Sequence, residues 1–493
     1  MILLVALLLP ALAAVILPLV PRDQARSLAI VAALLELVVS LVVLQTAATG
    51  TTLQLTQAWA PEAGLNLRLA ADGVSASLLA LSALIGFLAL LATRIERINR
   101  PRVFVALLLL IETGTAGVVL ARDLVLFYVF WEAVLVPFFI LIAMYGEGRR
   151  QYAAIKLMIY TGAGSLAMLV AILVIFTAHG AGTTSFALDQ LAQTPLTNNS
   201  LVLGLGAADL AFLGFALAFA IKTPLFPLHG WLADAYTSAP TPVVMVLAGV
   251  VSKLGPYGFY RVAIPLLPAS AQRFGPLLMT LAAVGIVYGA LLALRQDDAK
   301  RMVSYLSLSH MCFITLGIVG LTSAGIAGGL LQMINHGILI SALFFIVGHF
   351  EARLGTRSLG AMSGLARHAP ALTAVFLVVA LATLGLPGLN GFVGEYLIML
   401  GTYTRSWWLL LVAASGVVLA AWYTLRFFQG TMAGRPSADD TGEVAAAELS
   451  AGDLWVLLPL AALAVLIGVY PAPLVSAINA SVSAIAGALG AGA

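Results

Sequence analysis

Along this chain apolar residues gather in stretches of about 20, the length of helix that crosses a hydrocarbon core of about 30 Å. Such stretches are read at roughly 2–20, 27–48, 72–93, 103–120, 122–145, 154–178, 203–236, 241–264, 275–294, 300–321, 325–349, 370–401, 405–428 and 453–475. The pattern predicts an all-α, polytopic membrane protein of about 14 transmembrane helices. The first stretch has no basic residues ahead of its apolar run and no small-residue cleavage site behind it. It is read as a retained helix, not a signal peptide.

Composition sharpens this picture. Of 493 residues, 62% are hydrophobic and 9% charged, against about 25% charged in an ordinary soluble protein. The net charge of +3 is small and scattered, which argues against nucleic-acid binding. The single cysteine, Cys312, excludes a disulfide framework, a CxxC redox pair, a Cys-ligated zinc site and an iron–sulfur cluster. No long soluble stretch is present to house a nucleotide, so chemistry needing a bound redox centre belongs to another chain. The charged residues are few enough to place one by one. With the N-terminus outside, seventeen Lys and Arg, Arg97 and Arg435 among them, fall at inner loops or helix ends, and Arg68, Arg122, Arg261, Arg273 and Arg405 fall outside. Basic residues accumulate on the cytoplasmic side, which favours an even span count and two external termini. Lys222 and Lys253 are left over, and both lie inside predicted spans.

Two spans are too long and are interrupted. One contains Lys222-Thr223-Pro224-Leu225-Phe226-Pro227, and the other Leu384-Gly385-Leu386-Pro387-Gly388-Leu389-Asn390-Gly391. Proline removes a backbone donor and clashes with the preceding turn. Unwound backbone at membrane depth is tolerated only where it is buried in protein or lines a wet cavity. Paired interruptions in two halves point to inverted repeats with an ion site between them. The organisation read here is 1–102 as three N-terminal helices, 103–264 as a first five-helix repeat and 275–428 as a second, inverted one. Each places its discontinuous helix fourth. Residues 429–493 then form a polar inner loop, with Asp439, Asp440, Glu443 and Glu448, and a C-terminal transmembrane helix.

An ionisable side chain at a helix centre costs about 2.5–3.5 kcal/mol on insertion scales, so each is a functional candidate. Glu132, Lys222, Lys253 and Glu395 are the main ones, with Glu112 in the fourth span behind them. Desolvation and a nearby carboxylate act on a lysine in opposite directions, so a Lys–Glu pair can take up and release a proton. Histidine titrates near neutral pH, and His310 and His336, in the tenth and eleventh spans, can carry protons between Lys253 and Glu395. His229, just past the first break, belongs to the site or its rim. The competing readings are a static buried salt bridge for Glu132 and Lys222, hydrogen-bonded packing for the histidines, and local satisfaction of Glu112 by Thr113 and Thr115. No spacing suggests a metal site.

The run from Lys222 through Pro224, Pro227, His229, Trp231, Asp234 and Ala239-Pro240-Thr241-Pro242 to Gly249, Lys253, Tyr257 and Arg261 resembles the signature of the antiporter-like subunits of respiratory complex I. Phe130-Trp131-Glu132 and the segment from Leu386-Pro387-Gly388 to Gly394-Glu395 resemble the same family. Glu395, where sister subunits usually carry lysine, makes the middle antiporter-like subunit the nearest branch. Ala233 and Tyr236 depart from the pattern, standing where proline and histidine are common. The resemblance implies that Glu132 and Lys222 form a charge pair responding to a neighbouring subunit. It implies that Lys253 is the central proton carrier, with His310 and His336 bridging it to Glu395 on the exit side. It implies sister membrane subunits on both flanks, and no cofactor in this chain, with NADH, flavin, iron–sulfur clusters and quinone in partner subunits. The alternatives are a subunit of a multi-component cation/proton antiporter and a non-conducting membrane scaffold.

Overall fold

The computed structural model describes residues 1–60, 64–96, 98–179, 185–194, 196, 200–202, 204–434 and 447–488. Arg97, Arg435, Asp439, Asp440 and Glu443 lie outside the described residues. The chain begins with α1 (Ile2–Ile16) and α2 (Arg22–Ala48), followed by a hairpin of β1 (Leu53–Ala60) and β2 (Leu65–Ala71). Then come α3 (Gly73–Ala92), α4 (Pro101–Leu120), α5 (Leu124–Ala133), α6 (Leu135–Tyr145), α7 (Arg150–His179) and the short α8 (Leu188–Gln193). A small hairpin, β3 (Ser200–Val202) and β4 (Leu205–Gly206), leads into α9 (Ala207–Lys222) and α10 (Leu232–Ser238). Next are α11 (Thr241–Gly249), α12 (Leu254–Gly258) and α13 (Ile264–Leu266), then α14 (Pro268–Leu294), α15 (Ala299–Val319) and α16 (Ser323–Leu354). The remainder is α17 (Pro370–Thr383), α18 (Asn390–Arg405), α19 (Trp407–Met432), α20 (Ala451–Val469) and α21 (Ala472–Ala488).

Among the described residues 12 helices are long and apolar enough to cross a membrane, fewer than the sequence suggests. The shortfall has a physical cause. The stretch at 203–236 is split into α9 of 16 residues and α10 of 7, and the stretch at 370–401 into α17 of 14 and α18 of 16. At the second break Gly385 and Gly388 take φ of +77° and +91°, left-handed backbone that only glycine adopts without strain. The architecture is all-α as expected, with two short β-hairpins in the connections between helices. In the first, Leu55 pairs with Leu69 and Thr56 with Arg68, and the Leu-Gln-Leu-Thr and Leu-Asn-Leu-Arg-Leu alternation that builds it was readable in the sequence. Helix α21 lies past the last predicted stretch and packs on α3 and α16.

Burial divides the helices into an inner and an outer set. The 241–266 segment and α16 are buried throughout, whereas the apolar windows of α1, α2, α7, α19 and α20 are only 33–39% buried. The outer helices present Leu and Val outward, as lipid-facing helices do, and the inner ones meet protein on all sides. Helix α16 packs against α11, α15 and α18, and α7 runs along α9. Both broken helices are thus held against long continuous neighbours. The polar residues of mid-chain lie in this inner set.

Candidate functional site

The first break begins where α9 ends at Lys222. Breaking a helix frees carbonyls that must find donors. Ile221 O accepts the Trp231 indole N–H at 3.0 Å, Phe219 O accepts Thr223 N at 2.8 Å, and Ala220 O accepts Leu225 N at 2.8 Å. The Lys222 side chain is buried, and its ammonium sits 4.9 Å from the centroid of the Trp131 ring. Glu132 follows Trp131 but does not close on the lysine: among the described residues no Lys222–Glu132 ion pair forms within 4.0 Å. The static salt bridge weighed for this pair is therefore absent, and the two charges are neighbours out of contact. Lys222 shares a small cavity with Thr161, Trp231 and Ser252, which leads from the first break to the residue beside Lys253.

Lys253 closes a 3-10 turn, Val251–Lys253, that interrupts the helical run between α11 and α12. Its side chain is 1% exposed. The ammonium donates to the Ala248 carbonyl, to Ser252 Oγ at 3.3 Å and to His336 Nδ1 at 2.8 Å. The His336 and His310 rings lie with centroids 5.6 Å apart and planes 30° from parallel. His310 Nδ1 is 3.8 Å from Glu395 Oε1, which also accepts Gln332 Nε2 at 3.4 Å. Asn335 ties this end to the second break, donating to Gln332 Oε1 at 3.3 Å and to Asn390 O at 2.7 Å. Lys253, His336, His310 and Glu395 come from four separate chain segments and make one buried line.

Other expected residues fall elsewhere. The buried His229 Nδ1 has no hydrogen-bond partner among the described residues; its ring stacks on Phe226 and meets Tyr288 edge-on, at 5.8 and 5.1 Å, which places it at the rim of the first break. Glu112 is buried on α4, and its local satisfaction fails. The Thr113 hydroxyl donates to Leu109 O, and that of Thr115 to Ile111 O and Glu112 O. Glu112 faces instead Glu36 of α2, which is fully buried. Glu36 escaped the sequence reading although it is the one charge in the middle of its span. Tyr236, beside Ser252 and Ser307, and Tyr423, beside Glu395 and Ser309, also line the polar interior. Tyr236 stands where the family pattern has histidine, whereas Tyr423 carried no signal, because tyrosine is ordinary in membrane helices.

A second charged cluster sits away from this line. Asp72 caps α3 by accepting Ser75 N at 2.9 Å and binds Arg261 at 2.5 Å and Arg122 at 3.5 Å. Burial raises the Asp72 carboxyl, but Arg261 and Arg122 outweigh it and hold the group well below the usual carboxylate range. Among the described residues no three His, Cys, Asp or Glu side chains converge as a metal site.

Residues 121–420 match the family model described as NADH:quinone oxidoreductase/Mrp antiporter, transmembrane. The chain belongs to this family. Within it, the chain is 40% identical over 448 residues to NADH-quinone oxidoreductase subunit M of Pseudomonas aeruginosa, covering 89% of this chain and 86% of the relative. Its fold matches a chain of respiratory complex I from Thermus thermophilus, solved with bound NADH, at a TM-score of 0.90 and 35% identity, over 99% and 100% of the two chains. A chain of the Mrp complex from Dietzia sp. matches at 0.86, over 98% and 97% of the chains, but at 20% identity, a likeness of fold alone. The family model spans both breaks and all of the Lys222-to-Glu395 line.

Proposed function

We propose that this chain is a proton-translocating membrane subunit of a NADH–quinone oxidoreductase, driven by quinone reduction in other subunits. The observation that carries this reading is the buried line Lys253–His336–His310–Glu395 set between two broken helices. The 2.8 Å contact lets Lys253 hand a proton to His336 Nδ1, the protonated imidazole rotates or passes it through water to His310, and Glu395 receives it. Lys222 feeds Lys253 along the cavity that ends at Ser252. Because Glu132 stands near Lys222 without contacting it, a small shift of α5 against α9 changes the field at the ammonium. Each charge moved against 100 mV costs about 2.3 kcal/mol, so the drive comes from outside the chain. The identities, 35% to the complex I chain against 20% to the Mrp chain, favour this reading over a cation/proton antiporter.

The same reading extends to features of the whole assembly. The two broken helices complete about 14 crossings, arranged as two inverted five-helix repeats, and the packing of α7 on α9 and of α16 on α18 supports that correspondence. Sister antiporter-like subunits cover both flanks, and NADH, flavin, iron–sulfur clusters and quinone are carried by partner chains. The chain lies in a bacterial-type cytoplasmic membrane with both termini outside. The ion pairs support this orientation: Arg68, Arg122, Arg261 and Arg273 pair with Asp189, Asp72 and Asp209, apart from the Lys156, Lys300, Arg301 and Arg357 networks. Replacing Lys222 or Glu132 by Ala in the assembled complex is expected to abolish most quinone-linked proton pumping. NADH oxidation by the hydrophilic subunits with an artificial acceptor stays intact. Full pumping in both variants refutes the assignment.

A further inference from the structure

The line described above leaves one buried titratable pair unused. Glu36 and Glu112 sit side by side between α2 and α4, at 0% and 3% exposure. Their depth is matched. Each stands ten residues beyond a basic residue near its helix start, Arg26 on α2 and Arg102 on α4, which at 1.5 Å per residue is about 15 Å. That is half the thickness of a hydrocarbon core of about 30 Å. Neither carboxyl forms an ion pair among the described residues, and both Glu36 oxygens and Glu112 Oε1 are buried without any protein donor. Helix α3 makes room for the pair with Gly86, where a Cβ would stand 2.5 Å from Glu112 Oε1.

Two carboxylates in one low-dielectric site cannot both stay ionised, and a buried acceptor without a donor is costly. A proton resolves both difficulties: a protonated carboxyl donates to its neighbour. We propose that Glu36 and Glu112 form a second proton-binding site of this chain, holding at least one proton between them at neutral pH. Among the described residues no other charge is placed to compensate them. Helices α1, α3 and α21, which pack around α2 and α4, carry no Asp, Glu, Lys, Arg or His. Helix α5 packs on α4 and brings Tyr128 and Glu132, which add no cation, and α6 and α12 bring only Tyr145 and Tyr257. Of the remaining charges, Arg22, Asp23 and Arg26 on α2 and Arg102 on α4 lie near helix starts, and Arg68 lies on the strand β2. Helix α3 also touches α11 and α16, so it separates this pair from Lys253 and His336 by one helix.

The test is infrared difference spectroscopy of the assembled complex titrated through neutral pH, reading the C=O stretch of protonated carboxyl groups. It does not depend on pumping, so it stands or falls separately from the function proposed above. Wild type is expected to show a protonated-carboxyl signal at pH 7 that is lost in the Glu36→Gln/Glu112→Gln double variant. In Glu36→Gln, removing the neighbouring charge is expected to shift deprotonation of Glu112 to lower pH, while Glu36→Asp, which retains the carboxyl, keeps the wild-type signal. An unchanged spectrum in the double variant overturns the proposal. So does a signal that appears only when sodium is withdrawn, since the pair would then hold a metal cation.

Discussion

The contact between Lys253 and His336 is the most exposed joint of the proposed relay, because it is the one direct hydrogen bond between a lysine and the rest of the line. His336→Phe removes the acceptor at 2.8 Å while keeping a ring of similar size against His310, 5.6 Å away. A hydrogen bond involving a charged group contributes about 1.5–3 kcal/mol. Lys253 retains the Ala248 carbonyl and Ser252 Oγ, so the ammonium is weakened, not stranded, and the complex is expected to assemble. At 1.36 kcal/mol per decade of rate, the loss corresponds to roughly ten- to a hundredfold slower proton transfer through this step. The assay is quinone-linked generation of membrane potential in inverted vesicles, normalised to NADH oxidation with an artificial acceptor. His336→Gln, which offers an amide oxygen, is expected to fall between wild type and Phe. Wild-type pumping in His336→Phe would refute the reasoning, because it would mean that the proton does not pass through this ring.

Two further outcomes test how the surrounding fold holds the site. A Cβ at Gly255 would stand 2.6 Å from Phe219 O, so Gly255→Ala is expected to push α12 off the end of α9. The cost is about 1–3 kcal/mol, typical of overpacking, measured as a loss of thermal stability in the detergent-solubilised complex. Asp72, held below the usual carboxylate range once burial is outweighed by Arg261 and Arg122, contributes stability that is fully present above its unfolded-state value of about 3.9. That contribution is lost as pH falls through the depressed folded-state value. Wild type is therefore expected to lose stability on acidification below about pH 4, and Asp72→Asn, already destabilised at pH 7, to lose less over the same interval.

How much of this was legible follows from where charge is rare. Lys222, Lys253, Glu395, His310 and His336 stood out because each is an ionisable letter within a span whose other charges, where it has any, lie toward its ends, and the interrupted helices were legible because Pro and Gly act locally. What a one-dimensional pattern does not encode is which of these letters touch. That Lys253 meets His336, 83 residues further along the chain, depends on the packing of the α11 segment against α16. Glu36 illustrates the opposite failure. Its letter was visible, but its meaning lies in a partner two helices on, and with an apolar face turned to lipid α2 reads as an ordinary span. The hairpin of β1 and β2 was overlooked because a search for 20-residue apolar runs is blind to a period of two.

The two breaks also explain why the charges sit where they do. An intact helix spanning the bilayer places its dipole ends in water, where they are screened; a helix ending at mid-depth brings partial charges of about half a unit into low dielectric. Lys222 occupies the last turn of α9, where the carbonyl end favours a cation, and the Trp131 face adds a further attraction of up to about 2 kcal/mol when desolvated. With Glu132 out of contact, these two terms keep the ammonium tolerable without locking it. At the second break the Glu395 carboxylate reaches back to Gly385, where a Cβ would overlap it, so the left-handed turn there is also the space that admits the carboxyl. A lysine tied into a tight ion pair would be stable and inert. One held by a helix end and an aromatic face, with a carboxylate near but not bound, can change its proton occupancy when that carboxylate moves, and the geometry of the first break is of that second kind.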